Sequence, residues 1–355
     1  MVGRSWAALL ASLVPETAAP AFRTHETVRP LLEAACRMSS GLATFLDIGY
    51  SEEGRPISAV VMGQGPRTVA LLAGTHADEP VGPETLRWFV LEGLRQSSQL
   101  QPILERFQLV ILPHINPDGE IRNQSWVTHW PSLEAYLAHV VRELPGRDLE
   151  FGYPDLRPEN RAVADFLRAY APFAGYVNLH GMGFAEGALL LIERHWSFRT
   201  EALQQAFVAA AQAAGLGLHD HNRKGEKGFF YIGPGFMTTP EGEAMRTFFE
   251  ARGEPQQAQH FRLSSMELVR GLGGDPLCLV TELPLFVVQR RPAAPGIPKA
   301  YLELRAQLAE LRLRALKGET LEDARRAFGL QPLPLAKAMR LQLQVIGLLL
   351  ETIGD

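Results

Sequence analysis

The sequence predicts an α/β fold: a mostly parallel central sheet covered by helices on both faces, followed by a C-terminal helical extension. Three observations carry this expectation. Apolar runs of strand length alternate with stretches of helical period. Glycine-bearing turns punctuate the first strands. With 46% hydrophobic residues in 355, the chain has enough apolar material for a large core, in one domain with extensions or in two.

In chain order, "ETVRPLLEAACRMSSGLATF" (26–45) carries apolar residues at helical spacing. The overlapping "ATFLDIGYSEEGRPISAVVMGQGPRTVALLAG" then reads as three strands parted by turns at Glu53-Gly54 and Gly63-Gln64-Gly65-Pro66. "GPETLRWFVLEGLRQ" is an amphipathic helix, and "FQLVILPHINPDG" is a buried strand ending in a turn. Residues 126–144 form a helical insertion. "PENRAVADFLRAYAPF" is a helix leading into the short strand "AGYVNLHG". The helix "RTEALQQAFVAAAQAAG" precedes "RKGEKGFFYIGPGFMTTPEG", which lacks a period and reads as a surface loop, and "DPLCLVTELP" is the last buried strand. These elements divide the chain into a tail over 1–25, a main domain over 26–292 and a helical extension over 293–355, with no internal repeat.

Bulk properties exclude several classes of function. A net charge of −4, from 35 basic and 39 acidic residues, leaves no basic surface suited to nucleic acid. No stretch reaches about eighteen uninterrupted apolar residues, so no membrane span is expected. Two cysteines, Cys36 and Cys278, form no disulfide framework and no CxxC pair, which points to a reducing, cytoplasmic location. A short apolar stretch after Arg4 sketches a signal peptide, the alternative being export, but its charged region is thin and Glu16 interrupts it. Oligomeric state leaves no trace in the sequence.

In open α/β sheets ligands gather beyond the carboxyl ends of the strands. His76 and Glu79 follow "VALLAG", His180 follows "YVNL", and Glu282 follows "CLVT". Two imidazoles and a carboxylate are the protein ligands of an open, catalytic zinc site, so His76, Glu79 and His180 are the expected ligands of one Zn2+ ion. Glu282 would stay off the metal and take a proton from its bound water. An HxxE pair alone is a weak pattern; four such groups closing three separate strands are far more specific. Asp78, beside them, reads as an outer or solvated residue. His219 and His221 in "LHDHNRKG" lack further ligands and read as a solvated turn, and Ser264 and Ser265 lack the Gly-x-Ser-x-Gly setting of a serine hydrolase.

These motifs resemble those of the M14-type zinc metallocarboxypeptidases. "IGYSEEGRPISAVVMG", "GTHADEP", "LPHINPDG", "NLHG" and "VTELP" occur in the family's order over roughly residues 26–290. The resemblance implies a mixed, largely parallel sheet between helices and hydrolysis of a C-terminal peptide or peptide-like amide. It implies zinc on His76, Glu79 and His180, with Glu282 as general base and acid. It also implies that Arg122 polarises the scissile carbonyl and that Tyr231, in the glycine-flanked "GFFYIGPGF", covers the substrate.

One motif departs. Where the family has Asp-Leu-Asn-Arg-Asn-Phe-Pro, gripping the substrate's carboxylate, this chain has "GRDLEFGYP", placing Glu150 and Phe151 at the Asn-Arg pair. A carboxylate repels a carboxylate, whereas a guanidinium binds it bidentately. Arg147, Arg157 or Arg161 would have to supply the clamp, or Glu150 would select a cationic or uncharged group. Two alternatives therefore stand beside a carboxypeptidase: a deacylase of N-acyl amino acids or other small amides, as in the aspartoacylase-like group, and a non-catalytic binding scaffold.

Overall fold

The computed structural model describes residues 5–144 and 146–354. Its strands are β1 (Ala43–Tyr50), β2 (Pro56–Met62), β3 (Arg67–Ala73), β4 (Phe107–Leu112), β5 (Phe173–Ala185), β6 (Leu189–Ile192), β7 (Tyr231–Gly233), β8 (Phe236–Thr238), β9 (Leu277–Val287) and β10 (Gln331–Pro332). The first helices are α1 (Trp6–Ala11), α2 (His25–Met38), α3 (Val81–Arg95), α4 (Ser97–Leu104), α5 (Pro117–Val127), α6 (Leu133–His139) and α7 (Pro158–Arg168). They are followed by α8 (Glu201–Ala213), α9 (Gly242–Ala251), α10 (Pro255–Ala258), α11 (Ser265–Gly271), α12 (Lys299–Leu316), α13 (Glu322–Phe328) and α14 (Leu335–Gly354).

The strands form one sheet in the order β1-β2-β4-β3-β5-β9-β6-β8-β7, with β10 added to β9. Its centre, β4-β3-β5-β9, is parallel, and the strands outside it bring antiparallel pairs, so the sheet is mixed. Buried on both faces, the central strands read as continuous apolar runs such as "VALLA" and "LVIL". Two segments differ from expectation. The 223–242 stretch contains the small β7–β8 pair, too short and glycine-rich to show a period. Within 126–144 only α6 is a separate helix, and residues 140–144 run as irregular chain.

The divisions at 25/26 and 292/293 do not separate structural units. α14 lies against the sheet with Leu341, Leu343, Val345, Ile346, Leu349 and Leu350 buried, and β10 pairs with the end of β9. α1 packs on α14 so closely that a Cβ at Gly347 would come within 2.4 Å of the Ala7 Cα. Its own end is tied down as well: Glu351 accepts the Ala7 N–H at 3.1 Å, and Trp88 donates to the Leu13 carbonyl at 2.8 Å. An amphipathic helix at either end of a chain looks dispensable in sequence, yet here both termini complete one core. Among the described residues no helix is long and apolar enough to cross a membrane.

Candidate metal centre and active site

β3 is followed directly by Gly74, whose φ of +74° lies in the left-handed region. Any side chain there would also strike the His114 ring, 2.6 Å from an ideal Cβ. The chain turns at this point and the His76 carbonyl accepts the Glu79 N–H at 3.4 Å, which brings both side chains to one side. Helix α3 starts immediately afterwards and seats its Gly82 against the Leu179 carbonyl of β5, where a Cβ would lie only 2.3 Å away. The HxxE turn is thereby held against the strand that carries His180.

The three side chains meet. His76 Nδ1 is 2.9 Å from Glu79 Oε1, and His180 Nδ1 is 2.9 Å from Glu79 Oε2 and 3.0 Å from His76 Nδ1. Glu79 Oε2 also accepts the Gly181 N–H at 3.2 Å. Glu282 stands opposite His180 in the parallel β5–β9 register and so projects from the same face of the sheet.

Electrostatics describe a site that wants a cation. Burial opposes ionisation of Glu79, but His76, Arg142 and His180 hold its carboxyl well below the usual range. Burial likewise opposes charge on His180, and Glu79 and Glu150 overcome it. Burial, and then the neighbouring Glu79, push the Glu282 carboxyl up to about 8. The donor set fits zinc: two imidazole nitrogens and a carboxylate lie close enough for metal–ligand bonds of about 2.0–2.2 Å to reach them all from one point. Two Nδ1 atoms 3.0 Å apart need either a shared proton or a shared cation.

The sheet continues this support from behind. Buried Gln342 of α14 donates to the His180 carbonyl at 3.4 Å and to Thr281 Oγ1 at 3.2 Å, while accepting from Thr85 Oγ1 at 2.6 Å. One amide thus links β5, β9 and α3. The "NPDG" segment opens α5, beyond the turn read from sequence: Asn116 caps the helix by accepting the Gly119 N–H at 3.0 Å. Asp118 binds Ser51 Oγ at 2.6 Å, Arg55 at 2.7 Å and the Glu53 N–H at 3.0 Å, fixing the β1–β2 turn.

The other expected site residues lie elsewhere. Arg122 is half-exposed and ion-paired to Glu53. The guanidinium at the metal corner belongs to Arg142, whose Nη1 lies 2.8 Å from Glu79 Oε1 and 3.0 Å from Asp78 Oδ1. Asp78 is buried against this arginine. The placement of Arg142 is built by Asn123, which accepts the Val141 N–H at 3.0 Å and donates to the carbonyls of Val141 at 2.8 Å and Ala77 at 3.0 Å. Beside it, Glu143 accepts from Asn116 Nδ2 at 2.6 Å. The irregular segment after α6 is therefore stitched to the HxxE turn. Arg142 escaped the sequence reading because it follows a helix of no motif, whereas Arg122 follows "NPDG" directly but points outward along α5.

Among the expected substrate-binding residues, Arg147 pairs with Glu52, and Arg161 is exposed in a surface depression with Tyr50, Asp155 and Asp165 that no metal-site residue lines. Arg157 is buried between Glu52 and Glu159. Tyr231 donates to Asp220 at 2.7 Å, and Asp220 in turn holds the Gly296 N–H, so this tyrosine braces a loop. Glu150 does reach the site, but from behind His180, at 3.5 Å from its Nε2. His219 and Asp220 are both buried, not solvated, and His219 accepts the Glu186 N–H at 3.3 Å.

The sequence profile of the zinc carboxypeptidases, peptidase M14, matches residues 29–185, a span that contains His76, Glu79 and His180. Over this stretch, a little under half of its length, the chain is similar to the zinc carboxypeptidases. Carboxypeptidase M of Mus musculus is 26% identical over 198 residues, covering 50% of this chain and 42% of the relative. A protein of Arthroderma otae described as inactive metallocarboxypeptidase ECM14 is 25% identical over 217 residues, covering 47% and 37%. The chain spans less than half the length of these curated relatives. The structure of a metallo-carboxypeptidase from Burkholderia cenocepacia matches with a TM-score of 0.53 at 16% identity, over 94% of this chain and 70% of that one, showing that the fold is carboxypeptidase-like. The similar proteins thus include one described as inactive.

Proposed function

We propose that the protein is a zinc-dependent hydrolase of a peptide or peptide-like amide. The observation that carries this reading is the meeting of His76, Glu79 and His180 within 3.0 Å, with Glu282 in register beside His180. Zinc, held by these three residues, would supply Lewis acidity and activation of water.

Glu282 has the placement of a group that first accepts and then returns a proton: its carboxyl is not a member of the convergent ligand set, and it stands in register beside His180. It takes the proton of the attacking water and delivers it to the departing amine. Arg142 replaces Arg122 as the guanidinium that donates to the carbonyl oxygen as negative charge develops there. Gln342 joins β5 to β9 beside this pair, and the Gly82 contact seats the start of α3 on β5.

A second reading concerns the substrate. Arg147 and Arg157 are engaged with glutamates, and Glu150 faces His180, so the usual grip on a terminal carboxylate is not assembled from these residues. A deacylase of small N-acyl compounds uses the same chemistry without that grip. The test is a panel of peptides and N-acyl amino acids offered to zinc-loaded wild type and Glu282→Gln. Hydrolysis that disappears in the variant while zinc is retained supports the reading, and the panel identifies the substrate class. No turnover of any amide by the zinc-loaded wild type overturns it in favour of a binding scaffold.

A further inference from the structure

Glu150 is unusual in being acidic, mostly buried and directed at a histidine already committed to the metal corner. Its carboxylate is held from the far side. Ser265 offers its hydroxyl to Oε1 at 2.8 Å and its N–H at 3.3 Å, and Asn178 donates to Oε2 at 3.1 Å. The serine is itself fixed by the Tyr176 hydroxyl at 2.6 Å, and Asn178 by Thr75 at 3.1 Å. Tyr176, Asn178, Ser265 and Thr75 are all buried, so none of these bonds is exchanged for water. Nearby Asp148 is spent on the backbone, accepting the N–H groups of Glu150 and Phe151 at 3.1 and 3.3 Å.

On the other side, His180 presents two different nitrogens. Nδ1 is the atom that meets His76 and Glu79. Nε2 is buried with no hydrogen-bond partner, and Glu150 Oε2 is 3.5 Å away. An imidazole that gives one nitrogen to a metal carries its proton on the other, and that N–H needs an acceptor. The braced carboxylate supplies one.

Resting on the metal site proposed above, we infer that Glu150 is a positioning residue: it accepts the Nε2 proton of His180, fixing the tautomer and ring orientation that aim Nδ1 at the metal. The position has exchanged a substrate contact for a metal-supporting one. Glu150 is thereby withdrawn from substrate, and this accounts for a carboxylate standing where the family grips one.

The test is zinc affinity of the full chain, measured by competition with a chromophoric chelator, together with the visible spectrum of the cobalt-substituted protein and the thermal midpoint of the metal-free form. Glu150→Gln should bind zinc about 10–100-fold more weakly, with an altered cobalt spectrum and an almost unchanged metal-free midpoint. Ser265→Ala, which keeps the carboxylate but frees it to turn, should show a smaller loss in the same direction, and it decides the matter if Glu150→Gln does not fold. Wild-type affinity in both variants overturns the inference, as does a loss of affinity matched by a fall in the metal-free midpoint, which marks a residue that only holds the fold. A wild type that takes up no zinc at all is a separate result and overturns the metal site itself.

Discussion

The metal corner and residues 140–144 touch each other, yet they are built by different means. His76, Glu79, His180 and Glu282 belong to β3, β5 and β9 or to the turn directly beyond β3, and three parallel strands leave their carboxyl ends little freedom. Residues 140–144 have no regular structure and are placed by Asn123, Asn116 and the Asp78–Glu79 pair. Strand ends can be located from hydrophobic pattern alone, whereas a segment held by side-chain bonds can be located only once its partners are known. The same contrast divides the proposed chemistry: the first region would hold the metal, and the second would bring the charge that meets the substrate.

The largest effect comes from removing a ligand. His180→Ala leaves two donors where zinc requires at least three, so metal analysis should fall from about one ion per chain to a small fraction, with hydrolysis lost. If zinc remains at full occupancy in this variant, the metal lies elsewhere and the division between the two regions fails.

Next is Arg142. If the irregular segment supplies the charge for the carbonyl oxygen, Arg142→Ala should lower kcat by about 10²–10³-fold while zinc stays bound. Arg142→Lys should recover only part, since an ammonium lacks the planar fork. A variant with lost zinc and intact chemistry per bound ion would instead make Arg142 part of the metal corner, through its contact with Glu79.

Legibility followed the same line. The order of β1 to β5 and β9, the helices α3, α7 and α8, and the four groups at the strand ends could all be read from periodicity and turn residues. What stayed hidden was whatever depends on contacts distant in sequence. Glu150 was expected to face the substrate because of its place in a motif, but Ser265 and Asn178, 115 and 28 residues away, turn it toward His180. The C-terminal helices carried no motif, and nothing local in "LQLQVIG" announces that Gln342 sits behind the His180 carbonyl. A buried glutamine in an apolar helix is the sort of signal that could have found it, since a buried amide needs partners.

Gln342 gives the third prediction, a moderate one in stability. Gln342→Leu fits the apolar surroundings but leaves the His180 carbonyl and the hydroxyls of Thr281 and Thr85 short of a partner, costing about 1–3 kcal/mol. Urea unfolding should show the lower midpoint, with an unchanged slope if α14 unfolds together with the sheet. A separate early transition would restore the C-terminal helices to an independent extension.

The smallest expected effect is at Arg122, and it sharpens the comparison most cheaply. Its guanidinium is half-exposed and its ion-pair partner Glu53 is a surface carboxylate, so little depends on either. Arg122→Ala should retain zinc, keep kcat/KM within about twofold of wild type and unfold at nearly the same urea concentration. Measured beside Arg142→Ala, it separates two arginines that differ by twenty positions and by which way their chain points. A loss for Arg122→Ala as large as that for Arg142→Ala would mean that the turn of β1–β2, to which Arg122 is tied through Glu53, moves onto the site when substrate binds.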